Sequence, residues 1–446
     1  MVSGTLKKIL ASGVATSALL VAVSSAQAGA FAIREQSPQA QGEAFAGVAA
    51  GAGGLSSMFW NPATITKSPG WNSQWGVSGI IPSSTITPVA PTPTIGFGGS
   101  GDIAQGAVLA NSATNYQWND WLFLGLTTNA PFGLTTKSGP NWAGQVYGQT
   151  SRVLTFEATP TVGVKINEWI SVGVGVRVLY FRTRLTSALG TAPNFPSTEL
   201  RGDATNVGFS GGVTLTPFAG TELGIGYRSQ VRENLKGTFT TPVPIPGLFG
   251  APGAYSIKSN VTLPDQVTVG LRQRVTNDFT VLAGFEWTHW GAFQRFPVCV
   301  AALGGACPAP LALAFRYKDG YYTSIGAEYR WNPALTLRAG LGYEKSPITD
   351  AVRGVRLPDN DRIWTSIGAG YQITNKISVD ASYTHIFPKS TKINITSLAN
   401  PAFNGLPFVA NVKARVDIIS ASLSYRWDDP KVISTESPKG PIVRKY

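Results

Sequence analysis

From residue 169 to 185 the chain alternates between two kinds of position. Ile170, Val172, Val174, Val176, Val178 and Tyr180 occupy one parity, and Ser171, Gly173, Gly175, Arg177, Leu179 and Phe181 occupy the other. Period two predicts a strand with one apolar face and one mixed face. The apolar face stays free of charge until Arg182, and at about 10 residues it is long enough to cross a bilayer as a tilted strand. The mixed face, with its glycines and arginine, suits an interior. Similar segments are predicted at residues 71–85, 108–118, 121–134, 152–166, 205–217, 222–240, 261–275, 279–296, 315–331, 335–344, 361–373, 377–395 and 412–427. That makes fourteen, an even count as single-chain transmembrane barrels require.

The breaks between these segments alternate in length. Asn119-Asp120, Asn167-Glu168, Ala219-Gly220, Asn277-Asp278, Asn332-Pro333 and Thr374-Asn375 read as tight turns. Residues 242–252 and 297–311 are long and rich in proline and glycine, and read as loops at the opposite, extracellular end. Aromatic residues at strand ends (Trp121, Trp169, Tyr180, Tyr329, Trp331, Tyr371, Tyr425, Trp427) are placed to form interface girdles. Only 13% of the 446 residues are charged, where about a quarter is usual for a soluble chain. Beyond the N-terminus there is no run of about 18 apolar residues, so strands are the remaining way to cross a membrane.

The ends of the chain follow other rules. Lys7 and Lys8, the apolar run 9–23 and Ala26-Gln27-Ala28 have the form of a cleaved signal peptide, residues 1–28, with the exported chain starting at Gly29. Residues 29–70 lack alternation and read as short helical turns, a hatch or plug preceding the barrel at 71–427. Residues 428–446 form a polar C-terminal tail. Lysines and arginines outnumber acids 36 to 24, and 34 to 24 once Lys7 and Lys8 are removed. No basic-aromatic motif points to nucleic acid, so anionic lipopolysaccharide is the expected counter-charge, with Arg182 and Arg184 on the outward parity.

Parity also sorts the interior. Arg177, Arg228, Arg272, Glu286, Arg316, Lys318, Glu328, Arg338, Arg362 and Asp380 are expected to face the lumen. They suit a charge network packing wall against plug, with contact to a ligand head group as the alternative. Leu179, Phe181, Leu185, Trp290, Trp364 and Ile418 are expected to face it too. They suit either packing on the plug or a greasy ligand path, since apolar burial contributes about 25 cal/mol per Å². His289 and His385 have outward parity on separate strands, which argues against a hydrolase. No metal-ligand spacing and no cofactor motif is present. Cys299 and Cys307 share one loop and are expected to form a local disulfide.

The signal peptide, Asn61-Pro62-Ala63, Gly226-Tyr-Arg-Ser229, Leu263-Pro-Asp-Gln266, Trp287 to Trp290, Tyr317-Lys-Asp319 and Leu357-Pro-Asp-Asn-Asp-Arg362 together resemble the FadL-like family of long-chain fatty acid and aromatic-hydrocarbon transporters. The resemblance spans almost all of the exported chain. It implies an all-β, 14-stranded antiparallel transmembrane barrel with an N-terminal hatch ending at Asn61, Pro62 and Ala63, in the bacterial outer membrane. It also implies passive uptake of hydrophobic compounds with lateral exit into that membrane, by a protein expected to act as a monomer. Phe31 aligns with a family ligand-pocket position. Two positions that are basic in fatty-acid transporters are Ser187 and Leu313 here. Asn129, Pro131, Phe132 and Gly133 interrupt the third strand. Proline cannot complete a ladder, so either the strand ends at Ala130 and Pro131 opens a loop, or a lateral gate lies there. The family is thought to use an inward kink in this strand. A general diffusion porin is the reading of another class.

Overall fold

Alternation in the sequence becomes alternation in space because successive strand side chains point to opposite faces. In the computed structural model, which describes residues 29–308 and 311–429, Val174, Val176 and Val178 are exposed on the outside, while Arg177, Leu179 and Phe181 are buried inside. The expected signal peptide lies outside the described residues, as does the tail beyond Asp429. Fourteen antiparallel strands close the barrel. They are Trp71–Val89, Ala107–Gln117, a third made of Leu122–Asn129 and Gly133–Lys137, Thr150–Lys165, Ile170–Ala188, Ser197–Phe218, a seventh made of Thr221–Arg228 and Val231–Thr241, an eighth made of Gly253–Leu263 and Gln266–Arg274, Phe279–Thr288, Gly320–Arg330, Leu335–Lys345, Arg362–Gln372, Ile377–Pro388 and Phe408–Arg426. Closure is direct: Trp71 pairs with Tyr116 of the second strand, and Asn72 with Arg426 of the last.

Several expected boundaries move. The segment expected at 279–296 stops at Thr288, where a 3-10 turn, Trp290–Ala292, carries the chain off the wall. The segment expected at 315–331 begins only at Gly320. The sixth strand starts earlier than expected, at Ser197, because its upper half pairs with the fifth strand in a ladder reaching Ala188↔Ser197. At the tight turns, asparagine side chains cap the backbone. Asn167 Oδ1 accepts from the N–H groups of Trp169 at 2.9 Å and Ile170 at 2.8 Å.

Residues 29–70 run inside the barrel as one α-helical turn, Pro38–Gln41, and 3-10 turns at Val48–Ala50, Gly54–Phe59 and Pro62–Lys67. Such irregular backbone needs partners for its polar groups. Asn61 shows how they are found. Its Oδ1 caps the Pro62–Lys67 turn by accepting from Ala63 N–H at 3.0 Å, while its Nδ2 donates to the carbonyls of Ala49 (2.7 Å) and Val213 (2.9 Å). Asn332, also followed by Pro-Ala, makes the same local cap to Ala334 at 2.9 Å, but on an exposed turn. The wall accommodates the inner segment with inward glycines. A β-carbon at Gly224 would overlap the Ala49 carbonyl, one at Gly226 the Trp60 carbonyl, and one at Gly270 would lie 2.9 Å from the Ala50 nitrogen.

Candidate functional site

The lumen is packed in its lower part and hollow in its upper part. In the packed part, Glu157 lies between Arg177 at 2.8 Å and Arg228 at 2.6 Å. Arg34 of the inner segment reaches Glu286 at 2.7 Å and stacks over the Tyr322 ring at 3.8 Å. Arg338 joins Glu43 (3.0 Å) to Asp380 (2.7 Å), so a residue of the eleventh strand holds both the inner segment and, across the twelfth, the thirteenth strand. Arg362 pairs with Asp359 and Glu344. Burial pushes the Glu35 carboxyl up to about 7, and it pushes Glu43 well above the usual carboxylate range with help from the nearby Glu328 carboxylate.

Most charges expected in the lumen are therefore there, engaged with one another and with residues 29–70. Arg316 and Lys318 are corrections. Residues 315–319 precede the strand, so strand parity does not apply to them, and both side chains are exposed.

Above the charged layer lies a cavity of about 560 Å³, in the range of small-molecule sites. Phe31, Leu134, Val153, Phe181, Leu185, Phe293, Phe296 and Leu313 contribute to its lining, and the loops at this end close it with Tyr147, Val355, Leu357 and Phe403. Phe31 forms the floor. Its ring centroid is 4.7 Å from that of Trp290, 5.1 Å from Phe293 and 5.9 Å from Phe132. Of the apolar residues expected in the lumen, Phe31, Phe181 and Leu185 line the cavity, while Leu179 and Trp290 are buried in the cluster behind it. Trp364 and Ile418 stand elsewhere. They pack with Phe45, Trp60 and Tyr322 against the inner segment, and Trp364 Nε1 donates to Glu344 at 3.0 Å. Ser187 and Leu313 both line the cavity and bring no charge to it.

The loop residues of this lining have no periodic pattern to announce them. One signal existed: the aromatic density of Phe293, Phe296, Phe315 and Tyr317 on both sides of the Cys299–Cys307 disulfide, which the structure contains. That loop folds back over the mouth, with Val298 and Val300 fully buried.

The interruption of the third strand sits at the cavity floor. Asn129 pairs with Glu157 below it and Gly133 with Leu154 above it. Three residues therefore oppose two, a bulge of one residue. The freed backbone turns inward onto the inner segment. Ile33 N–H donates to the Pro131 carbonyl and Gly133 N–H to the Phe31 carbonyl, both at 2.8 Å. Thr155 Oγ1 donates to the Phe132 carbonyl at 2.6 Å. On the other side, pairing with the second strand ends at Ser112↔Thr128 and returns only as a bridge at Ala104↔Thr136. Residues 105–111 and 129–135 thus face each other across a stretch of wall with no ladder.

His289 and His385 keep to the outside, each on a carboxylate: Nδ1 to Asp265 at 2.9 Å and to Asp417 at 2.7 Å. Arg182 is exposed on the outer face, and Arg184 pairs there with Glu199 at 2.6 Å.

A family model described as outer membrane protein transport protein (OMPP1/FadL/TodX) matches residues 19–427. The chain belongs to this family. Among its relatives, a 47 kDa outer membrane protein of Pasteurella multocida is 26% identical over 437 residues, covering 92% of this chain and 97% of the relative. A long-chain fatty acid transport protein of Escherichia coli K12 is 24% identical over 419 residues, covering 84% and 92%. A Pseudomonas aeruginosa FadL homologue of known structure shares the fold with a TM-score of 0.78 at 21% identity, covering 90% of this chain and 100% of that one. The toluene transporter TodX of Pseudomonas putida shares it with a TM-score of 0.63 at 16% identity, covering 85% and 95%. This FadL/TodX member is thus an outer-membrane barrel of a family that transports hydrophobic compounds, not an enzyme family.

Proposed function

We propose that this chain is a passive channel for long-chain fatty acids or similar amphiphiles. Ligand enters through the extracellular loops, occupies the apolar cavity and leaves sideways into the membrane at the third strand. Residues 29–70 act as a hatch that denies water and ions a path to the periplasm. The observation that carries the reading is the position of Phe31. It forms the floor of the cavity and lies against Phe132, beside the stretch of wall without a ladder. Displacing Phe31 connects the cavity to that stretch with no passage through the charged layer. The relatives named long-chain fatty acid transport proteins support the ligand class. Uptake of a neutral hydrocarbon by the same route is the second reading, favoured by the uncharged Ser187 and Leu313 in the lining. The outward position of Arg182 and Arg184 supports contact with lipopolysaccharide phosphates in this reading, and the protein works as a monomer.

Deleting Pro131 tests the exit. The deletion removes the one extra residue, so the ladder from Asn129↔Glu157 to Gly133↔Leu154 becomes continuous. Uptake of a labelled fatty acid by cells should fall sharply while binding to purified protein persists. Unchanged uptake by a folded deletion variant eliminates lateral exit. Substituting Gly133 is a poorer test, because a β-carbon there would lie 2.6 Å from Ile33 Cδ1 and disturb the inner segment. Removing residues 29–54 should raise ion conductance across a planar bilayer. A conductance already high in the intact protein would favour a general diffusion porin.

A further inference from the structure

We propose that Arg356 is the head-group cation of the cavity, holding a long-chain monocarboxylate whose tail runs down to Phe31. This rests on the reading of the cavity as the ligand site. Arg356 lies in the loop between the eleventh and twelfth strands and contributes to the cavity lining. Its Nη1 donates to the carbonyls of Thr150 and Thr186 and to Ser151 Oγ, each at 3.1 Å. These three acceptors are neutral and clamp the guanidinium at the upper ends of the fourth and fifth strands. Its Nε and Nη2 make no hydrogen bond, and neither atom is fully buried.

The other interior arginines described above are different. Arg34, Arg177, Arg228, Arg338 and Arg362 each have a carboxylate partner. Arg356 has none among the described residues. Enclosing a cation without a counter-charge is costly, and the cost is relieved if the anion arrives with the ligand. Burial lowers its pKa to about 10, which leaves it charged at neutral pH. The Nε and Nη2 edge of a guanidinium presents two parallel N–H groups, the geometry that matches both oxygens of one carboxylate. Ser187 and Leu313 supply no rival cation.

The register sets the length of the ligand. Thr186, at the Arg356 end, pairs with Thr150; five residues lower, Phe181 pairs with Thr155, the residue bonded to Phe132 at the kink. Five strand residues span about 17 Å. Between these levels the wall turns Leu185, Val153 and Phe181 to the cavity. A long alkyl chain with one anionic end satisfies both ends of this slot. A toluene-sized neutral molecule reaches only one of them and leaves the guanidinium bare.

The test uses the full exported chain in lipid nanodiscs, titrated with hexadecanoate and with methyl hexadecanoate. The wild type should bind the acid more tightly than the ester. Arg356→Gln should weaken acid binding about tenfold to a hundredfold, the range for a hydrogen bond to a charged group, and weaken ester binding much less, because the ester offers only a neutral acceptor. Arg356→Lys should retain part of the preference. Equal binding of acid and ester by the wild type overturns the proposal while leaving the cavity reading intact, and it does so even if Arg356→Gln fails to fold. An Arg356→Gln protein that keeps the acid preference also overturns it. Failure of the wild type to bind either compound rejects the cavity reading and this proposal together.

Discussion

Below Phe31 the wall strands turn glycine and charge toward the axis, and above it the same strands turn leucine, valine and phenylalanine. The fifth strand does both. Gly173 faces the backbone of Pro62 and Ala63, Arg177 pairs with Glu157, and then Leu179, Phe181 and Leu185 follow. In the lower part, covalently attached backbone occupies the space, so the wall supplies room and hydrogen-bonding partners. In the upper part the described residues leave a cavity, and the wall around it presents largely apolar surface. Surface of that kind lowers its free energy by taking up an apolar guest. A single strand can thus serve as a socket at one height and as an apolar cavity wall at another, with no change of parity.

The sharpest way to break this contrast is to remove the room. Gly224→Val should expel the Ala49 region, because the added atoms meet backbone that cannot rotate away. The cost should exceed the about 1–3 kcal/mol of ordinary overpacking, and planar-bilayer conductance should rise strongly. Gly211→Val is the control. It is on the outer parity, where a β-carbon's nearest neighbour is 4.0 Å away, so conductance should not change.

Next in size is Arg338→Leu. It strands Glu43 and Asp380 in the packed layer, and loss of one partner of a buried pair costs about 3–5 kcal/mol. A lowered thermal unfolding temperature of the purified barrel measures it, with ligand affinity in the cavity little affected.

The pH dependence of how residues 29–70 seat in the barrel should be milder. Burial raises the Glu35 carboxyl from its ordinary 4.5 to about 7. The protonated form is favoured in the folded state, so its contribution is fully present below about pH 4.5 and is lost as pH rises through about 7. Hydrogen-exchange protection factors of residues 29–54, taken relative to the intrinsic exchange rate at each pH, should fall across that window, and Glu35→Gln should flatten the profile. A wild-type profile with the opposite slope contradicts the assignment.

Smallest is an upper-cavity change. Leu185→Ala should weaken fatty-acid binding by about 1–2 kcal/mol through lost apolar contact, with conductance unchanged. A conductance change instead would show that the two parts of the lumen are not separable.

Much of this is legible in the amino-acid sequence. The strand count, the inward Arg177 and Phe181, the outward His289 and His385 and the break at Pro131 all follow from local rules. Parity is a property of neighbouring residues, and proline's missing N–H is a property of one residue. What failed did so for a physical reason. Parity places Arg316 and Lys318 inside, but their segment is not strand. Trp364 and Ile418 have the expected parity, but they stand at the height of the inner segment instead of the cavity.

The amino-acid sequence by itself therefore determined the barrel, which residues face in and which face out, because alternation is written in nearest neighbours. The tertiary structure alone decided height along the axis, since that depends on the register of all fourteen strands together. It alone revealed that the kink is one extra residue, because a bulge exists only relative to a partner strand. It alone brought Arg356 to the upper ends of the fourth and fifth strands. That residue lies in an aperiodic loop about 170 positions from Thr186, and only closure of the barrel places the two side by side.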